Sequence, residues 1–236
     1  MIKSIIIWIF LVVHTLMWAS FGILLSLFTK NDKTIHLYIA VPWSKIILWV
    51  TNVTVEISGL NNLDKDKSCI YIPNHLSFFD IFSLLAHLPV NFKFILKEEL
   101  MRLPVFNWAV KRAGYISIDR SSPSKARRSF KQAVKMIQSG GSLVIFAEGT
   151  RSKSGSLQPL KKGAFQLAIS SSSPIVPIAI KGSNDVMKKG DFKIKSGLIK
   201  IQVGQPISTT GYKLKSMPEL IERVTATLRE MLEERN

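Results

Sequence analysis

An α/β domain, built as a mixed sheet flanked by helices behind an N-terminal hydrophobic helical membrane anchor, is what this sequence predicts, and three observations predict it. From Ile5 to Phe28 the chain is almost continuously apolar. Beyond residue 50, short apolar runs of strand length alternate with stretches patterned at helical spacing. Several of those runs end on polar or charged residues, as strands that deliver side chains to a site do. The expected division is an anchor over 1–50 and a globular domain over 51–236.

Composition narrows the partners. A chain of 236 residues, 47% of them hydrophobic, buries one sizeable core. Lysine and arginine number 32 against 16 acidic residues, a formal charge of +16, which favours an anionic partner: nucleic acid, a phosphorylated substrate or an anionic lipid surface. The single cysteine, Cys69, excludes an intramolecular disulfide and a cysteine-based zinc site. It belongs to a strand, and His75 is the one local group that would lower its pKa, so inert packing is expected over a catalytic thiol.

The apolar stretch Ile5 to Phe28 is interrupted only by His14, Thr15, Ser20, Gly22 and Ser26, with Lys3 before it and Lys30 and Lys33 after. As a helix of about 24 residues it spans roughly 36 Å, enough to cross a bilayer. It is longer than a signal-peptide core and lacks a small-residue cleavage site, so a retained membrane segment is expected. His36 to Val50 places Tyr38, Trp43 and Trp49 among aliphatics, as suits a membrane interface, and Pro42 should kink or split that helix. A hairpin seated in one leaflet and a single crossing both fit.

Val53 to Ser58 alternates as a strand ending at Gly59, and Cys69 to Ile72 is a buried strand that Pro73 stops. Ser77 can cap a helix running from Phe78 towards His87, which leaves His75 on the turn. Asp80, in the first helical turn, can face back and accept from one imidazole nitrogen, freeing the other as a general base. Ser77-x-x-Asp80 is equally a capping box, in which Asp80 serves only the helix start. Phe92 to Leu96 is another strand, Glu98 to Arg112 a short helical region, and Tyr115 to Ile118 a strand delivering Asp119 and Arg120 where a phosphate could meet the arginine.

Ser122 and Pro123 start a helix whose inner face is Ala126, Phe130, Val134 and Ile137 and whose outer face carries Lys125, Arg127, Arg128, Lys131 and Lys135 before Gly140-Gly141 ends it. That basic face is solvated, touches anionic head groups, or meets the phosphates of a substrate. Leu143 to Ala147 is a buried strand presenting Glu148-Gly149-Thr150-Arg151, a compact clamp in which arginine can grip phosphate with two hydrogen bonds and glycine permits close approach. A structural Glu148–Arg151 ion pair is the alternative. A helix follows from Lys161 to Ser170. Ile175 to Ile180 holds Pro177 and is expected at a sheet edge or bulge, flanking the site's apolar pocket. Phe192 to Val203 reads as a hairpin turned at Ser196-Gly197, and Ser216 to Glu219 opens a last helix with Ile221, Val224, Leu228 and Leu232 on one face.

Asn74-His75-x4-Asp80, Lys97-x-x-Leu100-x3-Pro104, Gly114-x5-Arg120 and Glu148-Gly149-Thr150-Arg151, in that order between roughly Gly59 and Pro206, resemble the glycerolipid acyltransferase family, specifically the 1-acyl-glycerol-3-phosphate acyltransferases. The resemblance implies a glycerolipid acyltransferase-like fold and transfer of a fatty acyl group from a thioester to the 2-hydroxyl of lysophosphatidate, giving phosphatidate. It implies His75 as base and Asp80 as its orienter. Lys97, Arg120, Glu148, Gly149, Thr150 and Arg151 then serve acceptor or phosphate binding. It implies no cofactor or metal beyond acyl-CoA or acyl-acyl carrier protein as co-substrate. The other implied partner is membrane lipid, anionic by the charge balance, with the site facing the cytoplasm, at the inner membrane if the source is bacterial. Two departures stand out: Asn107 occupies a position where the family commonly has glycine, which bears on the acyl channel, and Leu160 one where it has phenylalanine.

Rival classes fit less well. No Gly-x-Ser-x-Gly elbow occurs, which argues against a serine hydrolase. A membrane-tethered basic binding protein would explain the charge but neither the His75–Asp80 pair nor Glu148, and aromatic residues do not interleave with basic ones, so no nucleic acid is expected. Another lysolipid acceptor remains the nearer alternative.

Overall fold

The computed structural model describes residues 2–29, 31–102, 104–118 and 122–234. Helix α1 (Ile2–Phe28) buries one stripe along its whole length, Ile7, Leu11, His14, Ala19, Gly22 and Ser26. Ile6, Ile9, Val13 and Phe21 on its other side stand largely exposed. The covering surface is the chain itself. Trp8 Nε1 donates to the Phe192 carbonyl at 2.9 Å, and Trp43 Nε1 donates to Thr15 Oγ1 at 3.2 Å. A Cβ on Gly22 would lie 3.3 Å from Ile39, so glycine lets the next helical segment come close. That segment is α2 (Asp32–Ile35), a π-turn over His36–Ala40, and α3 (Val41–Val50). The break expected at Pro42 takes the form of this π-turn: the Val41 N–H reaches back five residues to the His36 carbonyl just before proline removes a donor. The two helices form a hairpin laid against the domain.

After β1 (Val53–Ser58) come β2 (Ile70–Pro73), α4 (Phe79–His87), β3 (Phe92–Lys97), a 3₁₀ turn at Glu98–Arg102, α5 (Pro104–Arg112) and β4 (Ile116–Ile118). Next are α6 (Pro123–Gln138), β5 (Ser142–Val144), α7 (Lys162–Ser171), β6 (Ile175–Lys181), α8 (Ser183–Val186), β7 (Gly197–Val203) and α9 (Met217–Glu233). The strands make one sheet in the order β1-β7-β6-β2-β5-β3-β4. It is mixed as expected: β6–β7 is antiparallel and every other pairing is parallel. Alternate residues of β2 feed two apolar layers. Tyr71 points to the side where Leu48, Phe79 and Leu84 pack, and Ile70 and Ile72 to the side of Ile137, Phe165 and Leu228.

Two expectations fail. Strand β6 is interior, between β7 and β2, not at an edge. Pro177 pairs with Ile72, while its ring and missing N–H face the β7 side, where the ladder begins only at Ile178↔Val203. Just beyond that ladder, Gly204 donates to the Pro177 carbonyl at 2.9 Å, and a Cβ on Gly204 would lie 2.8 Å from Pro177 Cγ. A glycine partner and an absent rung make room for proline inside a sheet. The second failure is the hairpin at Ser196-Gly197. The run before β7 has no strand, because the Ile194 side chain is buried in the core and its N–H meets Ser4 Oγ of α1 at 3.4 Å. Its alternation reflects docking on the N-terminal helix.

Strand β5 also leaves the ladder earlier than the apolar run Leu143 to Ala147 suggested. Ile145 N still bonds the Tyr71 carbonyl at 2.9 Å, then Gly149 N closes a turn onto Phe146 O at 2.9 Å. Because β2 and β5 are parallel, the turn after each emerges at the same end of the sheet, and these two turns build the site.

Candidate active site

Asn74 sets the departure from β2. Its amide behaves as a further rung of the ladder, Nδ2 donating to Ile180 O at 2.9 Å and Oδ1 accepting from Ile180 N at 2.7 Å. The backbone thus turns away while its strand remains satisfied. His75 follows, with Nδ1 2.9 Å from Asp80 Oδ2. The same oxygen accepts from Leu76 N at 2.7 Å and Ser77 N at 2.9 Å. Capping and orienting of the imidazole are therefore one interaction, made by a carboxylate with no exposed surface. A carboxylate only accepts, so Nδ1 carries the proton and Nε2 keeps its lone pair. Phe146 stacks on the imidazole with centroids 3.8 Å apart, fixing the ring from the other side. Ser77 Oγ accepts from Phe79 N at 3.3 Å and donates to Met187 O at 2.8 Å, tying the turn to the segment after α8.

The loop 148–152 clasps the backbone of His75 on both sides. Glu148 Oε1 accepts from His75 N at 2.6 Å, Oε2 accepts from Gln158 N at 2.8 Å, and Ser152 N donates to His75 O at 2.7 Å. Burial pushes the Glu148 pKa up to about 7, against the pull of the Gln158 and His75 N–H bonds, with the Asp80 carboxylate adding a smaller upward push. Both its oxygens are engaged by backbone, and it forms no ion pair with Arg151 among the described residues. Arg151 instead lays its guanidinium over the Phe78 ring, Cζ 3.8 Å from the centroid, and its buried Nη1 has no hydrogen-bond partner among the described residues. Burial lowers the Arg151 pKa and the Asp80 charge opposes that shift. Of the two readings of the Glu148-to-Arg151 motif, the ion pair is not formed among the described residues.

Gly149 adopts φ +74, and a Cβ there would meet Lys161 Nζ at 2.6 Å, so both conformation and close passage require glycine. Thr150 Oγ1 accepts from Lys189 Nζ at 2.9 Å. His75, Gly149, Thr150, Arg151 and Lys161 stand on the wall of a cavity of about 570 Å³, otherwise lined largely by apolar side chains such as Phe94, Leu96, Ile118, Phe130, Ile145 and Leu167. Such a size and lining suit a small-molecule or acyl pocket. Strand β6 does not line it, contrary to the expectation for Ile175 to Ile180.

The structure thus brings together His75, Asp80, Glu148, Gly149, Thr150 and Arg151. Lys97 closes β3, but its side chain lies outside the described part, and Arg120 lies outside the described residues altogether. Asn107 is not among the cavity-lining residues, and Leu160 is buried in the same apolar layer as Phe165. Phe146, Lys161 and Lys189 were not singled out as site residues. Phe146 lay hidden inside an apolar run, and Lys189 had no motif around it.

The family profile described as Acyltransferase matches residues 54–181. A chloroplastic 1-acyl-sn-glycerol-3-phosphate acyltransferase of Brassica napus is 36% identical over 77% of this chain and 53% of its own length. A Pseudomonas aeruginosa protein named 1-acyl-sn-glycerol-3-phosphate acyltransferase is 29% identical over 84% of this chain and 77% of its own. The chain spans about half the length of the chloroplastic relatives it matches, 53% in that Brassica case. In fold it is similar to the crystal structure of the 1-acyl-sn-glycerophosphate acyltransferase of Thermotoga maritima, with a TM-score of 0.82 at 22% identity over 100% of this chain and 97% of that one.

Proposed function

The chain belongs to the acyltransferase family, and from that premise we propose that it transfers a fatty acyl group from a thioester to the 2-hydroxyl of 1-acyl-glycerol-3-phosphate, giving phosphatidate for phospholipid synthesis. The observation that carries this reading is an oriented His75–Asp80 pair at an apolar cavity whose wall also bears Arg151, a cation without a carboxylate partner among the described residues. Nε2 of His75 takes the proton of the 2-hydroxyl as its oxygen attacks the thioester carbonyl. The tetrahedral intermediate collapses with cleavage of the C–S bond, and the thiolate leaves as the donor's free thiol after taking the proton from the imidazolium. A thiolate leaves readily, so no covalent acyl-enzyme is required.

Arg151 holds the acceptor phosphate, with Thr150 and Gly149 shaping the loop under it and Lys97 and Arg120 adding charge. Glu148 positions His75 through its backbone, a role in place of the direct acceptor contact the family resemblance implied. The acyl chain occupies the lining of Phe94, Phe130 and Leu167. The donor is acyl-CoA or acyl-acyl carrier protein, with no cofactor. Helix α1 is long and apolar enough to cross a membrane. Its stripe is covered along its whole length, however, so α1 and the exposed Trp49 rest in one leaflet, next to the lipid acceptor and anionic head groups on the cytoplasmic side.

Purified protein assayed by thiol release against a panel of lyso-acceptors, with both donors, tests this directly. The fastest turnover is expected with 1-acyl-glycerol-3-phosphate; preference for a lysolipid with a phosphodiester head group, or no thioester consumption, overturns it. Arg151→Lys should raise the acceptor KM by about 10-fold or more and leave the donor KM in place, because an ammonium cannot make the two-pronged contact.

A further inference from the structure

We propose that Lys189 is a positioning residue for the acceptor's phosphate, acting through the backbone of Arg151; the inference rests on the reading of Arg151 as the phosphate grip. Lys189 follows α8 and stands 38 residues beyond Arg151 in the chain, yet its Nζ donates to Arg151 O at 2.8 Å as well as to Thr150 Oγ1 at 2.9 Å. Both acceptors are neutral, and no carboxylate pairs with Lys189 among the described residues. A lysine that spends its ammonium on neutral oxygens beside another cation raises the local positive potential, an arrangement that an anionic ligand stabilises.

The placement matters because this loop is anchored at Glu148 and Ser152 on the backbone of His75, and Lys189 is what bonds Thr150 and Arg151 between those anchors. It starts from the left-handed Gly149, and the Arg151 side chain makes a ring contact with Phe78 while Nη1 is unpartnered. Lys189 clamps the peptide that carries Arg151, and two residues earlier Met187 O receives Ser77 Oγ from the turn that carries His75. One short segment, Met187 to Lys189, is therefore bonded to both halves of the site. In the acceptor the phosphate ester and the reacting hydroxyl sit on neighbouring carbons, so their separation varies only over a narrow range. By bonding to both turns, the segment holds the phosphate grip and the base turn in register.

The test compares the full chain with Lys189→Met, Lys189→Arg and Arg151→Lys, varying 1-acyl-glycerol-3-phosphate and donor separately, with glycerol 3-phosphate as a competing probe. For Lys189→Met we expect the acceptor KM and the glycerol 3-phosphate Ki to rise together by roughly 10-fold, the size of one lost charge-assisted hydrogen bond. The donor KM, kcat and melting temperature should hold, and Lys189→Arg should restore most of the loss. Should the methionine variant fail to fold, Lys189→Gln, which keeps two donors and drops the charge, takes its place with the same expectation in direction. Unchanged acceptor kinetics in Lys189→Met beside a raised KM in Arg151→Lys overturn the role of Lys189 alone. A fall in melting temperature with both KM values and kcat moving together shows a structural tie only, and also overturns it. An unchanged acceptor KM in Arg151→Lys instead overturns the phosphate reading on which the inference stands.

Discussion

Replacing His75 by alanine is expected to lower the rate of thiol release by about 10² to 10⁴, the usual worth of a general base, while fold and membrane association persist. The expectation that folding survives comes from which atoms of His75 the structure uses. Its N–H is held by Glu148 and its carbonyl by Ser152, and alanine keeps both. The substitution removes the Nδ1 bond to Asp80 and the stack on Phe146, but Asp80 Oδ2 retains the N–H groups of Leu76 and Ser77. The start of α4 therefore stays capped. Thiol release near the wild-type rate in a folded His75→Ala protein would remove the base from the mechanism.

The parts of the fold that short-range rules govern were legible. Cys69 to Ile72, Pro73 and the turn to Phe79 follow from an apolar run, a ladder stop and a helix start close together in sequence, and His75 and Asp80 lie five residues apart on that turn. Longer-range geometry was less legible. The rule that proline seeks an edge considers only its missing N–H; it cannot see that Gly204 would leave space beside Pro177 in an interior strand. The alternation before β7 came from Ile194 docking on α1, a contact 190 residues apart. In α9 the buried positions are Leu220, Val224, Leu228 and Met231: Val224 and Leu228 are as expected, while Leu220 and Met231 stand in for their sequence neighbours Ile221 and Leu232, because aliphatics flank the stripe on both sides and only packing chooses between them. At the site, the carboxylate of Glu148 was visible but its partners were not, since they are backbone N–H groups brought in by folding. Lys189 was invisible for the same reason.

Asp80→Asn is expected to be the second most damaging substitution. The three donors that meet at Oδ2 dictate how asparagine must sit: its amide oxygen has to take the place of Oδ2, because an NH₂ there would face the N–H groups of Leu76, Ser77 and His75. The imidazole then keeps its tautomer and the helix its cap. Lost is the negative charge that stabilises the imidazolium as it takes the proton from the acceptor. In a serine-protease triad the same exchange costs about 10⁴ in kcat through the wrong tautomer, so here, with the tautomer kept, a smaller loss of about 10² is expected, read as thiol release at saturating acceptor. The amide NH₂ would take the place of Oδ1, a buried atom without a hydrogen-bond partner. Burying it should destabilise the fold by about 1–3 kcal/mol, a modest fall in melting temperature. Because a single oxygen both caps α4 and orients His75, a longer side chain such as glutamate would disturb both duties and separate neither. Asparagine leaves the three bonds at the Oδ2 position and removes the charge, at the cost of the buried NH₂. A folded Asp80→Asn protein that keeps most of its turnover would show that Asp80 serves the helix start and the imidazole needs no anionic partner.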